Sequence, residues 1–302
     1  METIAKPKRN AAGNFFKKYF TGERLVFTLA FIILFIYSVS LLIPFLWMFL
    51  NSFKDGTEYI LDVINADTLR LPEKWLIGNY SDVISKITFG QTTFGVMILN
   101  SLYYVSMTLL QIYFQLAVGY TLSKYEFKGK NVIFSVAVFA MTIPVIGNTA
   151  AAIKLRATLG LYDNLLEPLF SSGATAFGFN FLMFYGFFKN VSASYMEAGR
   201  IDGASEYAIF TKIMFPQALP MVSTLFILAA IGAWNNYETP MLYFPSYPNL
   251  SYGLYQASDS LMRGDMPIYF AALAITAVPI LVIFAVFADK IMKNFSVGGL
   301  KG

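Results

Sequence analysis

Five ionisable side chains, Glu197, Arg200, Asp202, Glu206 and Lys212, fall in the stretch Ser192 to Pro220, between two of the most apolar runs of the chain. The chemistry open to them is narrow. The chain has no cysteine and no histidine, which excludes disulfides, thiolate nucleophiles, Cys/His metal sites and any Ser-His-Asp triad. Paired carboxylates remain for acid–base work, but acids are few within the apolar runs. A G-x-x-x-x-G-K-[ST] phosphate loop is also missing; the nearest basic-glycine cluster, Phe127 to Asn131, lacks both its spacing and its hydroxyl. The polar stretch therefore reads as a recognition surface rather than a catalytic centre.

Local signals give that surface a shape. Ser194 followed by Glu197 is a capping-box pattern, in which each side chain satisfies an orphan N–H at a helix start. A short helix is expected from there to Asp202, with Gly203 as its stop because glycine tolerates positive φ. Ser205 is placed to cap a second helix, whose apolar face is expected from Tyr207, Phe210 and Ile213 or Met214. Pro216 and Pro220 suit the opening of the next helix. A connection between two spans can be as short as two to eight residues. This one is far longer and helical, so it suggests a knob read by a protein partner; an amphipathic helix resting on the membrane surface is the alternative.

The elements that carry the knob belong to a membrane protein. Of 302 residues, 57% are hydrophobic and 13% charged, where soluble domains carry about 25% charged. A hydrocarbon core about 30 Å thick needs roughly 20 helical residues to cross it. Segments near 25–50, 93–122, 132–153, 168–188, 217–243 and 267–289 meet that length, so the expected fold is an all-α bundle of six transmembrane helices. Its expected parts are a basic, amphipathic N-terminal segment over 1–24, a six-helix domain over 25–292 with the polar loop at 190–216, and a tail over 293–302. The run from Leu25 is too long for a signal-peptide core and reads as a retained span. Most of the 22 basic residues fall on the side of the N-terminus, which places both termini and the knob in the cytoplasm. The segment Asn51 to Thr92 is too polar to span and is expected to form a small ordered cap on the outer face.

The knob residues carry a resemblance. "EAGRIDGASEYAIFTKIMFP" is similar to the cytoplasmic signature E-A-A-x3-G-x9-I-x-L-P of the membrane subunits of binding-protein-dependent ABC importers. Glu197, Ala198, Gly203, Ile213 and Pro216 match in register, while Gly199 replaces the second Ala and Phe215 the Leu. "RIDGAS", Ala233 to Tyr237, Asn79-Tyr80 and Asn100 to Leu102 resemble the carbohydrate-uptake branch, in particular its maltose-type second permease subunit, over roughly residues 25–300. The resemblance implies a non-catalytic permease in the bacterial plasma membrane. It implies partnership with a second permease, two cytoplasmic ATPase subunits that hold ATP and Mg, and an extracytoplasmic solute-binding protein, with no cofactor on this chain and no nucleic acid. The coupling surface it implies comprises Glu197, Ala198, Gly199, Arg200, Asp202, Gly203, Ala204 and Ser205. A stand-alone secondary transporter or channel would instead show internal repeats or an ionisable relay in the spans, and neither is found. An importer of a non-sugar solute is the remaining alternative.

A sugar is held by amides, hydroxyls and carboxylates, with aromatic rings against its apolar faces. Polar groups inside spans are costly and face a cavity or another helix. Gln111, Tyr113 and Gln115 are such groups on the second span. Asn148, Asn180, Tyr185, Trp234, Asn235, Asn236, Tyr237 and Glu238 are the candidates for a substrate path. An interfacial aromatic belt and helix–helix hydrogen bonds are the competing readings of the same residues.

Overall fold

The structure, a computed structural model, describes residues 22–143 and 147–297. It divides into two compact units, one up to Leu76 and one from Ile77 on. The basic segment expected over 1–24 lies, up to residue 21, outside the described residues, as does the tail from 298.

In the first unit, helix α1 (Gly22–Asn51) contains the apolar run Leu25–Asn51, with a mean hydropathy of 2.7. At 1.5 Å per residue this run exceeds a hydrocarbon core about 30 Å thick. The chain then turns back on itself. Asn51 donates its amide to the carbonyls of Trp47 and Thr68, at 2.7 and 3.1 Å. Asp55 caps helix α2 (Gly56–Ile64) by accepting from Thr57 N–H. Lys54 is completely buried, and its ammonium lies 2.7 Å from Asp62 of α2. A charge withdrawn from water in this way requires a paired, hydrogen-bonded partner, and Asp62 supplies it.

The second unit opens with α3 (Gly78–Lys86) and a two-stranded hairpin, β1 (Thr88–Phe89) against β2 (Thr92–Thr93), turning at Gly90 with φ +57. There follow α4 (Phe94–Lys124), α5 (Lys130–Thr142), α6 (Thr149–Thr158), α7 (Glu167–Ala174) and α8 (Phe179–Asn190). After these come α9 (Ser194–Ile201), α10 (Glu206–Asn235), α11 (Glu238–Tyr243), α12 (Leu250–Gly264) and α13 (Met266–Val297). Helices α4, α10 and α13 are, with α1, long and apolar enough to cross a membrane.

Helix α4 is the spine. Helices α8 and α10 pack along it, while α3 and α12 pack on α13. Close approach to α8 depends on Gly119: a Cβ there would lie 2.8 Å from Phe184 Cβ and 2.9 Å from the Tyr185 backbone nitrogen. Small residues serve this purpose where lipid offers no hydrophobic drive to press helices together. Leu116, Tyr120, Phe184, Phe188, Ile209 and Met214 form a buried core towards the C-terminal end of α4. At its N-terminal end, Phe94 and Met97 pack with Trp234, Leu250, Leu254 and Ile268.

The third and fourth expected spans are interrupted. The segment 132–153 holds α5, which ends at Thr142, and then α6; the segment 168–188 holds α7 and α8. The second break is held by a neighbouring helix. Gln115 on α4 is buried and donates to the carbonyl of Thr175 at 3.1 Å, an oxygen that also accepts from Gly178 N–H at 3.0 Å, so the helix end is doubly bonded. Gly178 leaves room for that amide, since a Cβ would meet Gln115 Nε2 at 2.8 Å. Broken backbone at membrane depth is tolerated when it is buried in protein in this way.

The fifth helix also starts earlier than expected. Helix α10 runs unbroken from Glu206 through a π-helical stretch, Ile209–Met214, into the apolar span. Pro216 has no N–H and its ring crowds the preceding turn, and the wide turn just before it relieves both effects. The knob's second helix and the span are thus one rod.

Candidate functional site

The knob consists of α9, a bend and the first turns of α10. Gly203 takes φ +77 and makes the bend, as its residue type predicts. Ser205 accepts from Ala208 N–H at 3.2 Å and caps α10. The expected capping box at Ser194 does not form. Ala193 is the N-cap of α9, Ser194 lies inside the helix, and its N–H donates instead to the Ser192 hydroxyl at 3.3 Å. The inner face also differs. Phe210 and Met214 are buried as expected, with Ile209 beside them, whereas Tyr207, ahead of the π-helical stretch, is 72% exposed.

Gly199 faces this interior. A Cβ on it would come within 2.9 Å of Ile213 Cδ1 and 3.0 Å of Ile209 Cγ1, so the replaced alanine of the signature makes space for two isoleucines. Gly199 is therefore buried, and Ala204 is half-buried, while Glu197, Ala198, Arg200, Asp202, Gly203 and Ser205 are exposed. Large apolar side chains join that outer surface without having been expected there, foremost Ile201, 86% exposed, and Tyr207. A helical wheel of α9 offered the signal for Ile201, which lies off the face that buries Met196 and Gly199.

A brace holds the knob to α4. Arg200 binds Glu206 through two nitrogens, at 2.7 and 3.3 Å. Tyr125, just past α4, donates its hydroxyl to the second Glu206 oxygen at 2.6 Å, and the Lys124 ammonium donates to the Val191 carbonyl. Burial, and then the bond to Glu206, push the Tyr125 phenol well above its usual range, so it remains a donor at any physiological pH. No local pattern announces a contact between positions 81 residues apart in sequence.

The candidate path residues are dispersed. Asn180 donates to Gln115 Oε1 at 3.0 Å, within the packing of α4 on α8. Tyr185 stacks near Phe134, with ring centroids 4.6 Å apart. Trp234 is buried and donates to the Thr276 carbonyl at 3.1 Å, tying α10 to α13. Asn235 donates to its own helix at Ile231, Tyr237 stacks on Tyr255 at 4.5 Å, and Glu238 is exposed in the first turn of α11. Asn148 is exposed before α6.

Of these, Asn236 alone lines a cavity of about 340 Å³ in the second unit. Five helices and the loops around them converge there: α4 brings Tyr104 and Gln111, α6 Arg156, α7 Glu167, the end of α10 Ala233, and α11 Thr239 and Tyr243. Arg156 Nε lies 2.8 Å from Glu167 Oε1, and its guanidinium sits 4.1 Å from the centroid of the Tyr243 ring. Residues from α6 and α7 were not among the expected path residues, because a salt bridge 11 positions apart across a loop has no sequence periodicity.

Comparison with known proteins places these features in a lineage. The family of binding-protein-dependent transport system inner membrane components matches residues 115–296, a stretch that contains the knob and most of the second unit. The chain is 26% identical to the diacetylchitobiose uptake system permease protein NgcG of Streptomyces coelicolor, over 92% of this chain and 90% of that one. It is 27% identical to the arabinooligosaccharides transport system permease protein AraQ of Bacillus subtilis, over 94% and 98%. It is 24% identical to the sulfoquinovosyl glycerol transport system permease protein SmoH of Agrobacterium fabrum, over 94% and 96%. With apolar helices of spanning length and a match over more than half its length, the chain belongs to the binding-protein-dependent transport system inner membrane components, a family of multi-pass membrane permeases.

Proposed function

We propose that this chain is one of two permease subunits of an ATP-driven importer of a sugar or oligosaccharide, and that the segment 194–216 is the handle through which a cytoplasmic ATPase moves it. The observation that carries the reading is the knob: a bent helix pair whose second arm, α10, is continuous with a span. A displacement of the knob is then a displacement of that span, with no flexible joint to absorb it. Ile201 and Tyr207 supply the kind of exposed apolar anchors that dominate protein interfaces, and the surrounding small residues fit a groove. Relatives named for the transport of diacetylchitobiose and of arabinooligosaccharides support the substrate class.

In this reading the chain crosses the membrane six times with both termini cytoplasmic, the two interrupted segments α5–α6 and α7–α8 each making one crossing. A solute-binding protein delivers the sugar from outside, a second permease completes the path, and two ATPase subunits hold ATP and Mg and do the hydrolysis.

The test uses Gly203→Leu and Ile201→Asp in the assembled importer. A branched side chain forced to the left-handed region at Gly203 costs about 1–2 kcal/mol and reopens the bend. Loss of ATPase co-purification with Ile201→Asp, and loss of substrate-stimulated ATP turnover with both, are expected. Normal assembly and coupling in both variants refutes the handle.

A further inference from the structure

We propose that the cavity between α4, α6, α7 and α11 is a binding subsite for one neutral sugar ring, a site on this subunit itself. The proposal rests on the importer reading above and narrows it. Its first support is electrostatic. The two charged residues lining the cavity, Arg156 and Glu167, are spent on each other at 2.8 Å. The guanidinium is further covered by the Tyr243 ring, and the second Glu167 oxygen accepts from the Ser171 hydroxyl at 3.3 Å. An anionic ligand would have to separate a largely buried ion pair and would meet the carboxylate beside the cation. A neutral ligand leaves the pair intact.

The second support is the set of groups that remain available. The Gln111 amide, the Asn236 side-chain nitrogen, the Thr239 hydroxyl and the Tyr243 hydroxyl line the same space and have no hydrogen-bond partner among the described residues. They are neutral and include both donors and acceptors, which matches sugar hydroxyls, each able to donate and accept. Apolar wall atoms complete the match: the half-buried Tyr104, Met107 and Ala233 line the same space, with the buried Phe244 ring packed behind Tyr104 at 5.7 Å between centroids.

The third support is rigidity and size. Asn249 donates to the Asn236 carbonyl, Tyr104 to the Tyr247 carbonyl and Asn100 to the Pro248 carbonyl, while Asp163 bonds the backbone on both sides of the turn after Tyr243. The walls are thus held without a ligand, which lowers the ordering cost of binding. About 340 Å³ is at the small end of ligand pockets, suited to a single ring rather than to a chain of them.

The experiment measures uptake by the assembled importer in proteoliposomes. The probes are labelled cellobiose, maltose, arabinobiose and diacetylchitobiose, with a glucuronate-terminated disaccharide as the anionic probe. Gln111→Leu and Thr239→Val remove hydrogen-bonding groups that have no protein partner, so both variants keep the fold. Each is expected to raise the half-saturating concentration of the transported sugar about fivefold to tenfold, the effect of one lost hydrogen bond, with affinity at the separate binding protein unchanged. Glu167→Gln releases Arg156 and should allow the anionic probe to compete. Unchanged half-saturation in both Gln111→Leu and Thr239→Val, with a neutral sugar accumulating in wild type, overturns the subsite and leaves the importer standing. Accumulation of the anionic probe alone also overturns it. Failure of wild type to accumulate any probe sinks the sugar-importer reading and the subsite together.

Discussion

Gly119→Ala isolates the contact on which the architecture of the second unit depends. The added Cβ would lie 2.8 Å from Phe184 Cβ, 2.9 Å from Tyr185 N and 3.1 Å from the Phe181 carbonyl oxygen. Carbon pairs are comfortable at about 3.5–4.0 Å, so α4 and α8 must part by several tenths of an ångström. None of the opposing atoms is the end of a flexible side chain, and no rotamer change relieves the clash. Overpacking of this kind costs about 1–3 kcal/mol, while replacing glycine by alanine inside a helix returns up to about 1 kcal/mol. The net expectation is a loss of about 1 kcal/mol, with Gly119→Val worse. Gly186→Ala in α8 is the control, because nothing lies within 4 Å of its new Cβ; it should gain up to about 1 kcal/mol. Thermal unfolding of the purified protein in detergent reads both, at roughly 2–4 °C per kcal/mol. Were Gly119→Ala to melt at or above wild type while Gly186→Ala gained nothing, the packing argument would be wrong in sign.

Other consequences can be checked independently. Asp62→Asn removes the counter-charge of the buried Lys54 ammonium and should destabilise the first unit by about 3–5 kcal/mol, whereas the double change Lys54→Met with Asp62→Leu should come close to wild type; protease susceptibility of residues 51–76 distinguishes them. Glu206→Gln and Tyr125→Phe remove the brace on the knob, so amide exchange across 194–205 should quicken in both while the α10 span stays protected. Trp234→Phe keeps an aromatic side chain but drops the bond to the Thr276 carbonyl and leaves a buried gap where the indole was; it should lower stability by about 1–3 kcal/mol and leave the half-saturating concentration for transported sugar unchanged.

Much of the knob was legible in the chain. Gly203 and Ser205 act through local geometry, a positive φ and a side-chain cap, and residue type is enough to announce both. Ser194 misled because the helix begins one residue earlier: Ala193 is its N-cap and the Ala193 carbonyl accepts the Glu197 N–H, which leaves Ser194 inside the first turn. On the apolar face of α10, Phe210 and Met214 were legible from their spacing, and Tyr207 was not, since it points outward just ahead of the π-helical stretch. The breaks in the third and fourth expected spans escaped a hydropathy reading because an average over a span-length window hides a short stretch of Gly, Pro and small polar residues. Past α7 the Thr175 carbonyl accepts both from Gly178 N–H and from a glutamine on another helix, and no local pattern announces the second bond.

By itself the sequence determined the solvent, the helical class, the family signature and the position of the bend. Each of these follows from residue type or from spacing within a turn or two. The tertiary structure alone decided which polar groups share a space. Trp234, Asn180 and Gln115 were drawn into helix packing, while Arg156 and Glu167 were brought across a loop to face Gln111 and Thr239. The physical reason is that a hydrogen bond inside lipid goes to the nearest partner in space, and nearness in space among packed helices is unrelated to distance along the chain.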